Sequence, residues 1–157
     1  MAVLFTIGYQ GADLRSFLAV LGANRIEEVI DVRLVAASRR AAFSKTALAR
    51  LLARRGIGYS HRAELGCPRD IRIRYGDTAD FGRYSQQYRA RVLSRRRQIV
   101  SQLASAATRR RLCLLCFEEE PEKCHRSLLA QAAVASNGRV LRLIHLKAPS
   151  SARTPPG

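Results

Sequence analysis

The chain carries the stretch LCLLCFEEEPEKCHR at residues 112–126, and this stretch decides the fold. Its apolar part ends at Cys116, an acidic turn covers residues 117–122, and the tripeptide at residues 124–126 begins a segment with helical patterning. A short apolar run bounded by turn signals is typical of a buried strand. The stretch therefore predicts a strand, a loop and a helix start that bring thiols, an imidazole, a guanidinium and carboxylates together.

Further apolar runs predict strands, and segments with helical periodicity separate them. The predicted strands cover residues 3–7, 29–32, 57–61, 112–116 and 140–145. Helices are predicted over residues 14–21 with Asp13 as N-cap, from Ser44 to near Gly56, over 81–103 as one helix or two, and over 122–136. Residues 62–80 show no period and are predicted to be a long loop. This alternation indicates an α/β fold: a three-layer sheet of about five mostly parallel strands flanked by helices, Rossmann-like or flavodoxin-like.

Length and composition define the expected domain organisation. With 157 residues, of which 47% are apolar, the chain fits one domain with a substantial core. Residues 1–146 are predicted to form this single α/β domain. Residues 147–157 contain three prolines and no aromatic side chain, so they are predicted to be a disordered C-terminal tail.

The charge of the chain predicts a polyanionic partner. It has 28 Lys and Arg residues, 25 of them Arg, against 12 acidic residues, which gives a net charge of +16. Such a surplus attracts nucleic acid or another polyanion. Arginines also alternate with aromatic residues over 33–75, and exposed aromatic rings stack on unpaired bases. The pattern does not distinguish DNA from RNA, and solvated arginines are the alternative explanation.

Cysteine usage and hydropathy predict a cytoplasmic protein. The four cysteines lie at positions 67, 113, 116 and 124, and the first residues lack the pattern of a signal peptide. This favours a reducing compartment over a disulfide framework. No apolar run approaches the roughly 20 residues that span a bilayer, so no membrane partner is expected. The phosphate-binding motifs GxGxxG and GxxxxGK[ST] do not occur in the sequence, which argues against the enzyme classes that use them.

Polar residues gather where the predicted strands end. In open parallel sheets, ligands bind outside the carboxyl ends of the strands. The candidates at this edge are Asp31, Arg33, Cys116, Glu118, Cys124, His125 and Arg126. The first hypothesis is an enzyme-like pocket that acts on or senses an anionic, nucleic-acid-derived ligand. Arg33 and Arg126 would hold the anion, Glu118 or Asp31 would transfer protons, and Cys116 or Cys124 would be the reactive thiol.

Other interpretations of the same residues stay open. The ionisable groups could form a structural ion-pair network, and Cys124 could be a small core residue. A second hypothesis is a non-catalytic nucleic-acid-binding module. A third is a metal-stabilised or redox-sensing domain, in which Cys116, Cys124 and His125, together with His61 or Cys67, would supply soft metal ligands. Because zinc sites usually show two tight ligand pairs and the chain has no CxxC, no metal or other cofactor is expected. The acidic turn disfavours a phosphatase-like or rhodanese-like thiolate, since carboxylates repel an anion.

Four sequence blocks resemble the bacterial and archaeal family known as domain of unknown function 488. The blocks are TIGYQG (6–11), DVRLVAASRRAAFSK (31–45), ELGCPRDIR (64–72) and LCFEEEPEKCHRSLLA (115–130). They follow the order of the family, and the likeness extends over about residues 6–145. The resemblance implies a single α/β domain and a site, without a reaction.

The resemblance also implies which residues build that site. They are Gly8, Tyr9, Asp31, Arg33, Ser38, Arg39, Phe43, Ser44, Lys45, Glu64, Leu65, Gly66, Cys116, Glu118, Cys124, His125 and Arg126. Among them, the expected catalytic residues are Asp31, Cys116, Glu118 and Cys124. The expected ligand-binding residues are Tyr9, Arg33, Arg39, Lys45, Glu64, His125 and Arg126.

Overall fold

A computed structural model describes residues 1–138 and 141–150 of the chain. The strands are β1 (Ala2–Gly8), β2 (Glu28–Asp31), β3 (Gly58–His61), β4 (Leu112–Cys116) and β5 (Leu141–Lys147). The helices are α1 (Leu14–Ala23), α2 (Lys45–Ala53), α3 (Arg69–Thr78), α4 (Phe81–Arg91), α5 (Arg97–Ala107) and α6 (His125–Ser136). Single 3₁₀ turns lie at Ala41–Phe43, Ala63–Leu65, Leu93–Arg95 and Pro121–Lys123.

The strands form one sheet, which confirms the predicted three-layer α/β class. All pairings are parallel, in the order β3-β2-β4-β1-β5. The order differs from the 3-2-1-4-5-6 and 2-1-3-4-5 orders of the Rossmann and flavodoxin types. Helices cover both faces, as expected for a central strand such as β4 that is apolar and buried along its whole length.

The chain reverses its direction of winding between β1 and β4. From β1 it crosses β4 through α1 to reach β2, and from β4 it crosses β1 through α6 to reach β5. Gly8 pairs with Cys116 in register, and Asp31 pairs with Leu115, so the three strands end level with one another. Their outgoing loops diverge to opposite faces, which opens a crevice at this edge, where such sheets bind ligands.

Two apolar cores lie on the two faces of the sheet. One core packs under α1 and α2 and includes Phe5 and Cys113, and the other packs under α4 to α6 and includes Leu114 and Cys116. Side chains of a strand alternate between faces, so Cys113 points away from Cys116. Of the two cysteines in β4, Cys116 is therefore the one directed toward α6.

Two helix starts differ in how well they could be predicted. The carboxylate of Asp13 accepts a hydrogen bond from the Ser16 amide at 3.3 Å and caps α1 as predicted. The last helix was predicted from residue 122, but α6 begins at His125 because Pro121–Lys123 forms a separate 3₁₀ turn. Cys124 is consequently the N-cap, with extended backbone angles of φ −136° and ψ 143°.

The structure corrects the prediction of a long loop at residues 62–80. A 3₁₀ turn and α3 occupy most of this segment. In α3 only Ile71 is buried, so no apolar stripe marks the helix in the sequence. Residues 81–103 contain two helices rather than one. None of the helices in the described ranges is both long and apolar enough to cross a bilayer.

The C-terminal segment is ordered further than predicted. Lys147 lies in β5, and the Pro149 carbonyl accepts a hydrogen bond from the Asp13 amide at 3.2 Å. The rest of the predicted tail, residues 151–157, lies outside the described residues, as does Val140 at the predicted start of the last strand.

Candidate active site

A crevice of about 390 Å³ opens at the carboxyl ends of β1, β2 and β4. This volume is in the lower part of the range of small-molecule sites. Its walls come from the loop after β2, the turn after β4 and the start of α3 and α6. The lining residues are Tyr9, Arg33, Leu34, Val35, Ala37, Ser38, Arg39, Arg40, Cys67, Arg72, Cys116, Phe117, Glu118 and His125.

The floor of the crevice brings two thiols and an imidazole together. His125 Nδ1 lies 3.7 Å from Cys116 Sγ and 3.9 Å from Cys124 Sγ. Its Nε2 lies 2.7 Å from the carbonyl oxygen of Val32, and since a carbonyl only accepts, Nε2 carries the hydrogen and donates it. In the neutral form of the ring, Nδ1 then carries the lone pair that faces both sulfur atoms, and in the protonated form Nδ1 donates to them. Adjacent side chains within a helix point in different directions. Cys124 can approach His125 because it precedes the helix and has an extended backbone.

The environment shifts the proton affinities of this cluster in opposite directions. The hydrogen bond with Cys124 and burial raise the pKa of the Cys116 thiol well above its usual value. Burial would also raise the pKa of Cys124, but the hydrogen bond from Cys116 and the adjacent His125 and Arg126 lower it well below the usual value. One negative charge is therefore favoured on the thiol pair, at Cys124, where the start of α6 also stabilises it.

Glu118 stands between this cluster and the opening. Its Oε2 lies 3.3 Å from Cys116 Sγ, where it competes with Cys124 for the single thiol hydrogen. Burial and the nearby charge of Cys124 raise its pKa to about 7. A carboxyl group whose pKa lies in this range can hold or release a proton near neutral pH.

Arg126 shapes the acidic turn from within the core. Its side chain is fully buried. Its guanidinium donates to the carbonyl oxygens of Glu118 and Glu119 and, from Nε, to Thr6 Oγ1 at 3.2 Å. These contacts hold the turn against β1. The predicted anion-binding residue Arg126 therefore lies behind the crevice and is not among its lining residues.

A second buried network ties the β2 end to the neighbouring strands. Asp31 accepts from Arg33 Nε at 2.9 Å and from Arg33 Nη2 at 2.7 Å, and also from the Tyr59 hydroxyl. Arg33 Nη1 donates to the Tyr9 hydroxyl at 3.1 Å. Burial would lower the pKa of Arg33, but the hydrogen bond and charge of Asp31 raise it. The fully buried Asp31 is occupied by this network, and Arg33 borders the crevice with its charge already balanced.

One wall of the crevice is built on stacked aromatic rings. Tyr9 stacks on Phe43 at 4.6 Å between centroids, and Phe117 meets Tyr9 edge-on at 5.4 Å. Arg40 lies over the Phe43 ring at 4.5 Å and donates to the Tyr9 carbonyl. Ser44 fixes the same loop through the amide of Ser38 rather than capping α2 with its side chain.

The predicted ligand-binding residues divide into two groups. Tyr9, Arg33, Arg39 and His125 line the crevice, whereas Lys45 and Glu64 do not. Glu64 instead pairs with Arg62 at 3.4 Å on the surface, and Lys45 is exposed at the start of α2.

Several residues of the site were missing from the predicted set. Tyr59 holds Asp31, Thr6 holds Arg126, and Cys67, Arg72 and Phe117 line the crevice. Cys67 and Arg72 lie in the block ELGCPRDIR at residues 64–72, so the resemblance carried a signal for them. Thr6 begins the block TIGYQG at residues 6–11, so the resemblance covered it as well, although the apolar pattern of the first strand did not indicate it.

Comparison with known proteins identifies a family whose matched region includes most residues of this site. The model of a family described as "Domain of unknown function DUF488" matches residues 13–133. The match includes Asp31, Arg33, Cys116, Glu118 and the 124–126 tripeptide, whereas Thr6 and Tyr9 precede it. No match was found among curated proteins or among solved structures.

Proposed function

This chain belongs to the family of Domain of unknown function DUF488, and we propose that it is an enzyme whose crevice binds a small, phosphate-bearing ligand derived from nucleic acid. The observation that carries the proposal is the charge of the crevice. Four arginines line it, at positions 33, 39, 40 and 72, against the single carboxyl group of Glu118.

The four arginines differ in whether their guanidinium groups are free to bind a ligand. Arg33 is neutralised by Asp31, and Arg40 donates to the carbonyls of Tyr9 and Ala12. Arg39 and Arg72 are exposed and form no ion pair among the described residues. Exposed guanidinium groups of this kind bind phosphate through two parallel hydrogen bonds. The proposal therefore assigns the phosphate to Arg39 and Arg72.

The aromatic wall supports a ligand that contains a base. Phe117 is 44% exposed although it is a large apolar residue, and its edge is fixed against Tyr9. Nucleic-acid bases stack on such rings irrespective of their identity. A crevice of about 390 Å³ suits one nucleotide unit rather than a long strand.

The floor of the crevice supports chemistry on the bound ligand. Glu118 is a proton carrier next to the Cys116 thiol, and the imidazole of His125 lies behind both. These groups line the same crevice as Arg39 and Arg72. A phosphate held by the arginines would lie beside them.

The proposal is tested by calorimetric titration with nucleoside 5′-monophosphates and with inorganic phosphate. The double substitution Arg39→Gln and Arg72→Gln should weaken nucleotide binding at least about tenfold per arginine, as expected for loss of a charged hydrogen bond. The matched control is Arg54→Gln with Arg55→Gln, which removes the same charge from exposed residues after α2, at the opposite edge of the sheet. Equal loss in both double variants, or no binding by the unaltered protein, would contradict the proposal.

A second candidate, docking of a nucleic-acid strand without catalysis, is favoured by the surface of α3 to α5. Exposed arginines on and around these helices lie at positions 69, 72, 74, 83, 89, 91, 95, 96 and 97. Phosphate contacts of this kind weaken as salt rises. In this case, oligonucleotide affinity should fall on Arg95→Gln with Arg97→Gln and survive Cys116→Ser, as measured by fluorescence anisotropy at several salt concentrations.

A further inference from the structure

We propose that Cys116, Cys124 and His125 bind one zinc-class divalent metal ion on the floor of the crevice, with a fourth coordination position beside Glu118 that faces the opening. The proposal goes beyond the binding of a nucleotide and does not depend on it. It also replaces the expectation from ligand spacing that no metal binds.

The separations of the candidate ligand atoms fit tetrahedral coordination. Bonds of about 2.3 Å to sulfur and about 2.0 Å to nitrogen place the ligand atoms of a tetrahedral zinc site roughly 3.5–3.8 Å apart. The two sulfur-to-nitrogen distances are 3.7 and 3.9 Å, and the three ligand atoms all lie within 4.8 Å of one another. The sulfur-to-nitrogen distances are therefore close to the tetrahedral values, and the two sulfur atoms, which lie within 4.8 Å of each other, would approach by up to about 1 Å when a metal binds.

The imidazole is already oriented for this role. Its Nε2 hydrogen is fixed by the Val32 carbonyl at 2.7 Å, which leaves the Nδ1 lone pair directed at the sulfurs. Metal-bound histidines almost always donate their second ring nitrogen to a carbonyl or carboxylate in this way. Packing alone does not require such an arrangement, as Cys113 illustrates: it is buried in the other core without an imidazole partner.

The backbone explains why the spacing of the ligands hid the site. Cys124 is extended and His125 is the first residue of α6, so two adjacent residues both reach Cys116 at the end of β4. The connecting turn is fixed to the core by Arg126 through the carbonyls of Glu118 and Glu119. Ligands on a strand end and a helix start, joined by a braced turn, are preorganised without a CxxC pair.

The ligand set and its position indicate the kind of site. Two thiolates and an imidazole suit zinc and related soft or borderline ions, rather than magnesium or calcium. A site with three protein ligands and an open position is the catalytic type, whereas structural zinc sites are closed. Cys116, His125 and Glu118 line the crevice, so a fourth position on the ion would open toward the ligand space beside Glu118.

The test is cobalt titration of the reduced, metal-stripped protein. One equivalent of Co²⁺ should produce sulfur-to-cobalt charge-transfer absorption and the strong visible absorption of tetrahedral cobalt, and Zn²⁺ should remove both. We expect each of the substitutions Cys116→Ser, Cys124→Ser and His125→Gln to lower the apparent Co²⁺ affinity, measured from these bands, at least tenfold. The matched control Cys113→Ser changes a buried cysteine in the core on the other face of the sheet and should retain these bands.

Because a buried cysteine variant can unfold, a second measurement uses the unaltered protein. Zn²⁺ should slow the alkylation of Cys116 and Cys124 much more strongly than that of Cys113, which lies in the other core, as read by mass spectrometry. Absence of cobalt absorption, unselective protection, or a Cys116–Cys124 disulfide formed by mild oxidation in protein that binds no metal would each overturn the proposal. Nucleotide titration of the metal-stripped protein separates this result from the proposed function.

Discussion

Asp31 and Arg33, two residues apart in the chain, form a buried ion pair with two hydrogen bonds of 2.9 and 2.7 Å. Removing one partner of such a pair leaves an uncompensated buried charge, which costs about 3–5 kcal/mol. Asp31→Asn should therefore lower the free energy of unfolding by about that amount in urea denaturation. The control is Asp70→Asn, whose pair with Arg91 is exposed to solvent and therefore contributes little to stability. Similar small losses in both variants would show that Asp31 and Arg33 do not depend on each other.

Gly8 allows the acidic turn to approach the end of β1. A Cβ atom at this position would lie 1.7 Å from the backbone oxygen of Glu118, so Gly8→Ala must displace the turn. We expect a loss of about 1–3 kcal/mol, the usual cost of overpacking, by thermal or urea denaturation. Gly22→Ala in α1 has no atom within 4 Å of the added carbon and should be neutral or slightly stabilising. A Gly8→Ala protein as stable as the Gly22→Ala protein would contradict this packing.

Arg126 should not tolerate the conservative change to lysine. Its planar guanidinium reaches two carbonyls and Thr6 Oγ1 at once, whereas a lysine ammonium lacks this fork. Loss of one or two charged hydrogen bonds should cost about 2–4 kcal/mol in urea denaturation. Lys substitution at exposed Arg109 is the matched control and should change stability little. Equal stability of the two variants would argue against the bracing role of Arg126.

Tyr59 should make the fold sensitive to alkaline pH. Burial and the hydrogen bond to Asp31 raise the pKa of its hydroxyl above the usual value. Because the folded state holds this proton more tightly, its contribution is complete below about pH 10, the pKa of an unfolded tyrosine, and is lost as pH rises through the folded pKa.

The measurement is the free energy of unfolding of wild type and Tyr59→Phe between pH 7 and alkaline pH. The other titrating groups are common to both proteins, so the difference isolates Tyr59. Wild type should lose stability more steeply above about pH 10, by at most about 1.4 kcal/mol per pH unit. Parallel curves would contradict the expected shift.

The sheet was predictable from sequence because parallel strands buried on both faces are short apolar runs. β4 is one such run, LCLLC, and all five of its residues are buried. The helix α3 was not predictable in the same way, because Arg69, Arg72 and Arg74 surround its only buried residue, Ile71. Its sequence therefore carries no periodic signal.

The location of the site was predictable, but the tasks of its residues were not. The carboxyl ends of β1, β2 and β4 indicated Asp31, Cys116 and Glu118. The burial of Arg126 depends on carbonyls that exist only once the acidic turn has formed, so sequence alone placed it at the ligand. The convergence of both thiols on His125 likewise depends on the extended backbone of Cys124, which helical spacing does not reveal.

The most direct test of the central claim is chemical-shift mapping of backbone amides during titration with a nucleoside 5′-monophosphate. We predict that the largest shifts fall on the loop after β2 at residues 33–40, on residues 66–72 and on 116–119, which together form the crevice. Shifts confined to the arginine surface at residues 89–97, or none at saturating ligand, would contradict it.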